Sequence, residues 1–155
     1  MRTAPLAFAL LLLAGCAGPL YQGPPLAGTW KAADEELGAL VLEVQQGAAG
    51  GVDCVLTDVD GQRLAFDATL KKDGDAGGFD VVLEVRERDL TVLFGPAGTD
   101  EVEGKVTFAL GRVEAAFRRR KDQPFLDARF SRPGERRERT LKTIRLLEVP
   151  GGAPR

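Results

Sequence analysis

The sequence predicts an all-β protein, an antiparallel up-and-down β-barrel of about eight to ten strands. Three observations carry that expectation. Between Leu40 and Phe130 apolar residues recur at every second position, the period of strands buried on one face. Turn-forming residues interrupt the alternation at intervals of about 8–12 residues. Each interruption is short enough to read as a hairpin, and closure removes the edges that an open meander would leave exposed.

Taken in order, Leu26-Ala27-Gly28-Thr29-Trp30-Lys31 opens the meander and Asp34-Glu35-Glu36 turns it. Leu40, Leu42 and Val44 then share one face, opposite Glu43 and Gln45, and Gly47–Gly51 turns the chain. Val52, Cys54 and Leu56 alternate with Asp53, Val55 and Thr57. Asp60-Gly61 is a two-residue hairpin signal, beyond which Leu64, Phe66, Ala68 and Leu70 keep to one face. Lys72–Gly78 reads as a turn, followed by Phe79, Val81, Leu83 and Val85 against Asp80, Val82, Glu84 and Arg86. Past Glu87-Arg88 come Leu90, Val92 and Phe94. Past the loop Gly95–Asp100, Val102, Gly104, Val106, Phe108 and Leu110 face inward. Gly111-Arg112 turns into Val113, Ala115 and Phe117, and Pro124 breaks the chain before Leu126, Ala128 and Phe130. After Pro133-Gly134, the segment Glu138–Val149 reads two ways. Leu141, Ile144 and Leu147 fit a helical stripe, whereas Thr140, Thr143, Ile144 and Val149 favour a strand. A closing strand is the preferred assignment.

Ahead of the meander stands a different kind of segment. Arg2, the apolar run Leu6–Leu13 and the small residues around Cys16 have the three-part layout of a secretory signal. A membrane-spanning helix needs about twenty apolar residues, and this run is about half that. Leu13-Ala14-Gly15-Cys16 resembles the lipobox of bacterial lipoproteins. That resemblance implies cleavage before Cys16, a diacylglycerol on its sulfur and an acyl chain on the new N-terminus. Ala17, in place of Asp, implies sorting to the outer membrane, facing the periplasm. Several acyl chains at about 0.8 kcal/mol per buried methylene anchor stably. The expected divisions are a signal over 1–15, a Pro/Gly-rich tether over 16–26, a barrel over 27–149 and a flexible tail over 150–155.

Composition excludes several kinds of chemistry. Histidine is absent and Ser131 is the only serine, which removes the Ser-His-Asp triad, the imidazole base and the His metal ligand together. With Cys16 used as the anchor, Cys54 has no partner for a disulfide, so stability must come from packing. Cys54 itself, between Val52 and Leu56 and beside Asp53, reads as a small buried hydrophobe and not as a reactive thiol. The net charge of −2 hides a split: residues 16–110 carry 7 Lys/Arg against 17 Asp/Glu, and residues 111–155 carry 13 against 6.

Gly28-Thr29-Trp30 at the head of the meander resembles the Gly-x-Trp opening of the calycin superfamily, which includes lipocalins, fatty-acid-binding proteins and avidins. The resemblance implies that Trp30 plugs the closed end of the barrel beneath an arginine from a late strand. Arg129 and Arg145 are the candidates for that arginine, with a cation–π gain of about 0.5–2 kcal/mol. The lipocalin Thr-Asp-Tyr motif is missing from its place, since Thr57-Asp58-Val59 comes too early. The aromatic set of the avidin biotin site is missing as well, because Trp30 is the only Trp and Tyr21 lies in the tether.

No catalytic residue, metal site or cofactor is expected. Asp58-Val59-Asp60-Gly61 and Asp73-Gly74-Asp75 resemble calcium loops but lack the EF-hand spacing and terminal Glu. The inward set Leu42, Val44, Leu56, Phe66, Leu83, Val92, Phe108 and Phe117 is apolar throughout and could line a ligand cavity. Arg118, Arg119, Arg120 and Lys121 end one strand, and Arg132, Arg136, Arg137 and Arg139 surround the next turn. Together they could form one anion-binding patch. Nucleic acid is not an expected partner, since no aromatics interleave these cations. The expectation is thus a membrane-anchored envelope lipoprotein, not an enzyme, whose barrel binds a small apolar or amphipathic ligand. The alternative is a solid barrel whose basic patch docks an anionic envelope component.

Overall fold

A computed structural model of the chain describes residues 21–33, 40–47, 49–94, 104–132 and 143–151. The signal, Cys16 and the arginines at 136, 137 and 139 lie outside these residues. The described residues form strands and no helix: β1 (Gly28–Ala32), β2 (Val41–Gln46), β3 (Gly51–Thr57), β4 (Arg63–Thr69), β5 (Lys71–Asp73), β6 (Ala76–Val85), β7 (Leu90–Phe94), β8 (Gly104–Phe108), β9 (Gly111–Arg120), β10 (Phe125–Ser131) and β11 (Ile144–Glu148).

Nine strands make one antiparallel sheet in the order β4-β3-β2-β1-β11-β10-β9-β6-β5, curled into a nearly closed barrel. The expected all-β barrel is therefore present, and the closing strand assigned near the C-terminus is β11, which joins β1 to β10. Leu146, not Leu147, is its inward residue, as the strand period requires. Turns are made where the chain can reverse cheaply, with Gly61 at φ +82° and Gly74 at φ +56°, conformations open to glycine.

Two features depart from a simple meander. The chain between β6 and β9 leaves the barrel as a separate hairpin, β7–β8, so β6 pairs directly with β9 from Ala76↔Arg120 to Val85↔Gly111. The sequence placed β7 and β8 in the barrel wall, because their alternation is indistinguishable from that of wall strands. Leu110, expected inward, sits exposed at the β8–β9 turn. Second, β4 and β5 are one run of chain with Leu70 between them. Its first part pairs with β3 and its last part with β6. The barrel closes through β5, while among the described residues no ladder joins β4 to β6. Leu64, Phe66, Ala68 and Leu70 share one face as the alternation predicts, and are half-buried there.

Gly77 and Gly78, read from sequence as turn residues, belong to β6. A side chain on Gly78 would collide with the Phe117 carbonyl of the neighbouring strand, and one on Gly77 with the Tyr21 hydroxyl. Close approach of the β9 backbone is the reason for Gly78, and close approach of the Tyr21 side chain the reason for Gly77.

The barrel has two ends. The lower end carries the start of β1, the β2–β3 turn, the β5–β6 turn and the β9–β10 turn. The upper end carries the β3–β4 turn, the end of β6, the starts of β2, β9 and β11, and the β7–β8 hairpin. One core runs between them, from Leu26 and Trp30 to Leu90, Val92 and Phe108.

Candidate functional site

The residues expected to line a ligand cavity lie in the barrel interior. Leu42, Val44, Leu56, Leu83, Val92, Phe108 and Phe117 are all buried, and Phe66 is half-buried at the β4 edge. Their rings fill the middle of the barrel. Phe79 and Phe117 lie 4.8 Å apart, Phe66 reaches them at 6.1 and 6.4 Å, and Phe130 meets Phe117 edge-on at 6.0 Å. These contacts link β4, β6, β9 and β10, so at this level aromatic side chains occupy the space. Val92 and Phe108 come from the hairpin, not the wall, and cover the upper end, where Phe108 packs 6.4 Å from Phe130. Cys54 is buried in the same core. Burial foremost, then the charges of Asp53 and Asp67, pushes its thiol up to about 12.

At the lower end Trp30 is 0% exposed. Its indole N–H donates to the Leu26 carbonyl at 2.9 Å. The cation over the ring is Arg119, 5.1 Å from the centroid, and this corrects the assignment to Arg129 or Arg145. The pleat explains the correction. Val113, Ala115, Phe117 and Arg119 fall on one face of β9, so Arg119 is the inward residue that follows Phe117. Arg145 is exposed, stacks on Phe125 at 3.8 Å and pairs with Asp127 at 3.6 Å. Arg129 is exposed on the outer face, in a shallow groove with Asp80, Glu114 and Ser131.

The expected single basic patch is divided. Arg118–Lys121 sit at the lower end, whereas Arg132 follows β10 at the upper end, against the Thr107 carbonyl and 5.7 Å from the Phe108 ring. The length of β10, about 20 Å for its run of residues, separates them. Two of the four lower cations are also engaged. Arg118 pairs with Asp80 at 2.7 Å, and Arg119 donates to the carbonyls of Pro25 at 2.6 Å and Gln123 at 3.2 Å. Arg120 and Lys121 remain exposed.

A cleft that sequence reasoning did not foresee lies at the upper end, where β4 and β6 part. It measures about 620 Å³, has Leu64, Val85 and Leu90 as its apolar lining, and is bordered by Arg63, Arg86 and Arg88 with Glu84, Glu87 and Asp89. Arg86 is held by Glu84 at 2.6 Å, and that pairing holds the Glu84 carboxyl below its ordinary range. Arg88 donates to the Gln62 side chain at 2.9 Å, and Arg63 stands 3.6 Å from Glu43.

Leu90, the first residue of the β7–β8 hairpin, lines the cleft, and the hairpin is tied to the barrel by Asp58. This carboxylate is 0% exposed. Its Oδ1 accepts from the backbone N–H groups of Asp60 at 2.9 Å and Gln62 at 2.7 Å, and its Oδ2 from that of buried Thr91 at 2.9 Å. The Val59 N–H adds a bond to the Thr91 carbonyl. Lys105 of β8 meets Asp60 at 3.2 Å on the outside, and hydrogen bonds from Thr91 and Lys105 hold the Asp60 carboxyl below its usual range. Asp58 is therefore a structural acceptor, and among the described residues no three His, Cys, Asp or Glu side chains gather in one place. The Asx-turn pattern Asp58-x-Asp60-Gly61 was the available signal, but nothing in it marks the third bond, to Thr91.

No family model, no curated protein and no solved structure matches the chain.

Proposed function

We propose that the chain is a lipid-anchored protein of the bacterial cell envelope, held by Cys16 at the periplasmic face of the outer membrane. In this reading its barrel is a non-enzymatic binding module for a small amphipathic molecule, taken in the cleft between β4 and β6. The anchor and the localisation rest on the lipobox resemblance of Leu13–Cys16. The cleft carries the binding reading. About 620 Å³ falls within the range of small-molecule sites, and its lining combines apolar Leu64, Val85 and Leu90 with a charged border. An apolar tail along the leucines and an anionic head at Arg88 would satisfy both parts of that lining. The calycin resemblance of Gly28-Thr29-Trp30 agrees with a binding role, although the ligand lies at the seam in place of the interior.

Native mass spectrometry of a soluble form beginning at Ala17, purified from cells, tests this reading. A discrete small-molecule adduct is expected, and Leu64→Trp, which fills the cleft, should abolish it. Bare protein alone, or an adduct that Leu64→Trp leaves unchanged, contradicts the proposal. A second reading, a solid barrel that docks an anionic envelope component, is favoured by the phenylalanine-filled interior. Under it no adduct appears, and charge reversal at Arg120 and Lys121 weakens association with the envelope.

A further inference from the structure

The N-terminal segment bears on how the barrel meets the membrane. Residues 21–26 belong to the stretch expected to be a tether, but they are strapped across the lower end. The Tyr21 hydroxyl donates to the Pro24 carbonyl at 2.8 Å and lies against the Gly77 backbone. Pro24 is buried, the Pro25 carbonyl receives Arg119, and the Leu26 carbonyl receives the Trp30 indole N–H. Burial raises the Tyr21 phenol above its ordinary range, consistent with a docked ring. The packed structure thus extends back to Tyr21, and it does so at one end only.

We infer that the lower end of the barrel is the face held against the lipid leaflet, with the cleft opening away from it. The inference rests on acylation of Cys16. Five residue steps separate Cys16 from Tyr21, which reach about 17 Å at full extension. The β9 strand runs the full height of the wall from Gly111 to Arg120. At about 3.3 Å per residue and a barrel tilt of about 40°, that height is about 25 Å. A tether shorter than the barrel, starting from the lower end, cannot reach the leaflet with the barrel inverted onto its upper end. Lys71, Lys72, Arg120 and Lys121 are exposed at this end and able to meet lipid phosphates. Asp73, Asp75 and Asp122 stand among them, so it is the strap and not net charge that sets the orientation. A ligand of the upper-end cleft is then taken from the aqueous side and not drawn directly from the bilayer.

The two ends of β9 supply the test. Full-length acylated protein, reconstituted in phosphatidylethanolamine–phosphatidylglycerol vesicles with an acceptor dye on the headgroups, receives a donor dye at Lys121→Cys or at Arg112→Cys. Buried Cys54 stays unlabelled in both. Energy transfer is expected to be several-fold stronger from position 121 than from 112. Gly77→Leu, which displaces Tyr21 and lengthens the tether, should remove that difference while the barrel stays folded by circular dichroism. Equal transfer from both positions, stronger transfer from 112, or a difference that persists in Gly77→Leu overturns the inference. The mass of the N-terminal peptide from the same preparation separates the two levels of failure. An unmodified Cys16 sinks the anchor and the orientation together, whereas acylated Cys16 with equal transfer sinks only the orientation.

Discussion

Replacing Asp58 should release the β7–β8 hairpin from the barrel, and the size of the effect follows from its bonds. Asp58→Ala removes a buried carboxylate that accepts three backbone N–H groups. A hydrogen bond to a charged group contributes about 1.5–3 kcal/mol net, and less where water can replace the acceptor. The N–H groups of Asp60 and Gln62 lie in a turn that water reaches, so each contributes at or below the bottom of that range. The Thr91 N–H is buried and would be left without an acceptor, at a cost of about 1–3 kcal/mol. Together these give a loss of about 4 kcal/mol, close to the whole stability of a marginal domain. With a urea m-value of about 2 kcal/mol/M, the midpoint should fall by about 2 M. Asp58→Asn keeps one acceptor but turns an amide N–H₂ toward a backbone donor, so it should lose a similar amount. The assay is urea unfolding of the soluble form, combined with hydrogen exchange at Thr91 under native conditions. A loss below about 1 kcal/mol, or Thr91 protection unchanged in Asp58→Ala, would refute the reasoning that this carboxylate pins the hairpin.

Other consequences follow from the core and the outer face. Phe117→Ala removes the ring that touches Phe66, Phe79 and Phe130, and should cost about 3–5 kcal/mol by denaturant unfolding; a loss near zero would mean the interior is not filled there. Cys54 should resist alkylation at neutral pH until the barrel unfolds, since burial and the neighbouring aspartates keep its thiol protonated. Labelling of the native protein as fast as of the unfolded chain would contradict this. Asp53 and Asp67 face each other on β3 and β4, and the hydrogen bond they share raises the Asp53 carboxyl, followed by desolvation and the charge of Asp67. A carboxyl raised in the folded state contributes stability below its ordinary range that is lost as pH rises through the raised value. Asp53→Asn should therefore raise the urea midpoint at neutral pH and not at about pH 3, below the ordinary range of the Asp53 carboxyl. A gain of equal size at both pH values would dismiss the cross-strand repulsion.

The strands were legible because period-two alternation reports directly on which side of a wall a residue faces. Leu42, Val44, Leu56, Phe79, Leu83, Phe117 and Phe130 are inward as the alternation requires. Alternation does not say which strands become neighbours. The β7 and β8 segments have the same pattern as wall strands, yet they form a hairpin of their own because β6 and β9 pair without them. The cleft lies where β4 and β6 part and had no local signature. Arg119 was legible in principle. It continues the series Val113, Ala115, Phe117, whereas Arg129 lies between inward Ala128 and Phe130 and is therefore outward. Glycine pairs usually mark a turn, which is the expectation at Gly77-Gly78. Only the approach of Tyr21 and of the β9 backbone shows why β6 needs them.

The central claim is that the barrel is filled within and takes its ligand at the seam. Amide chemical-shift mapping of the soluble form during titration with laurate, a simple anionic amphiphile, tests it most directly. The account predicts shifts clustered at residues 61–64 and 84–90, lost in Leu64→Trp. Shifts centred on Leu42, Val44 and Phe117, or none at any residue, would contradict it.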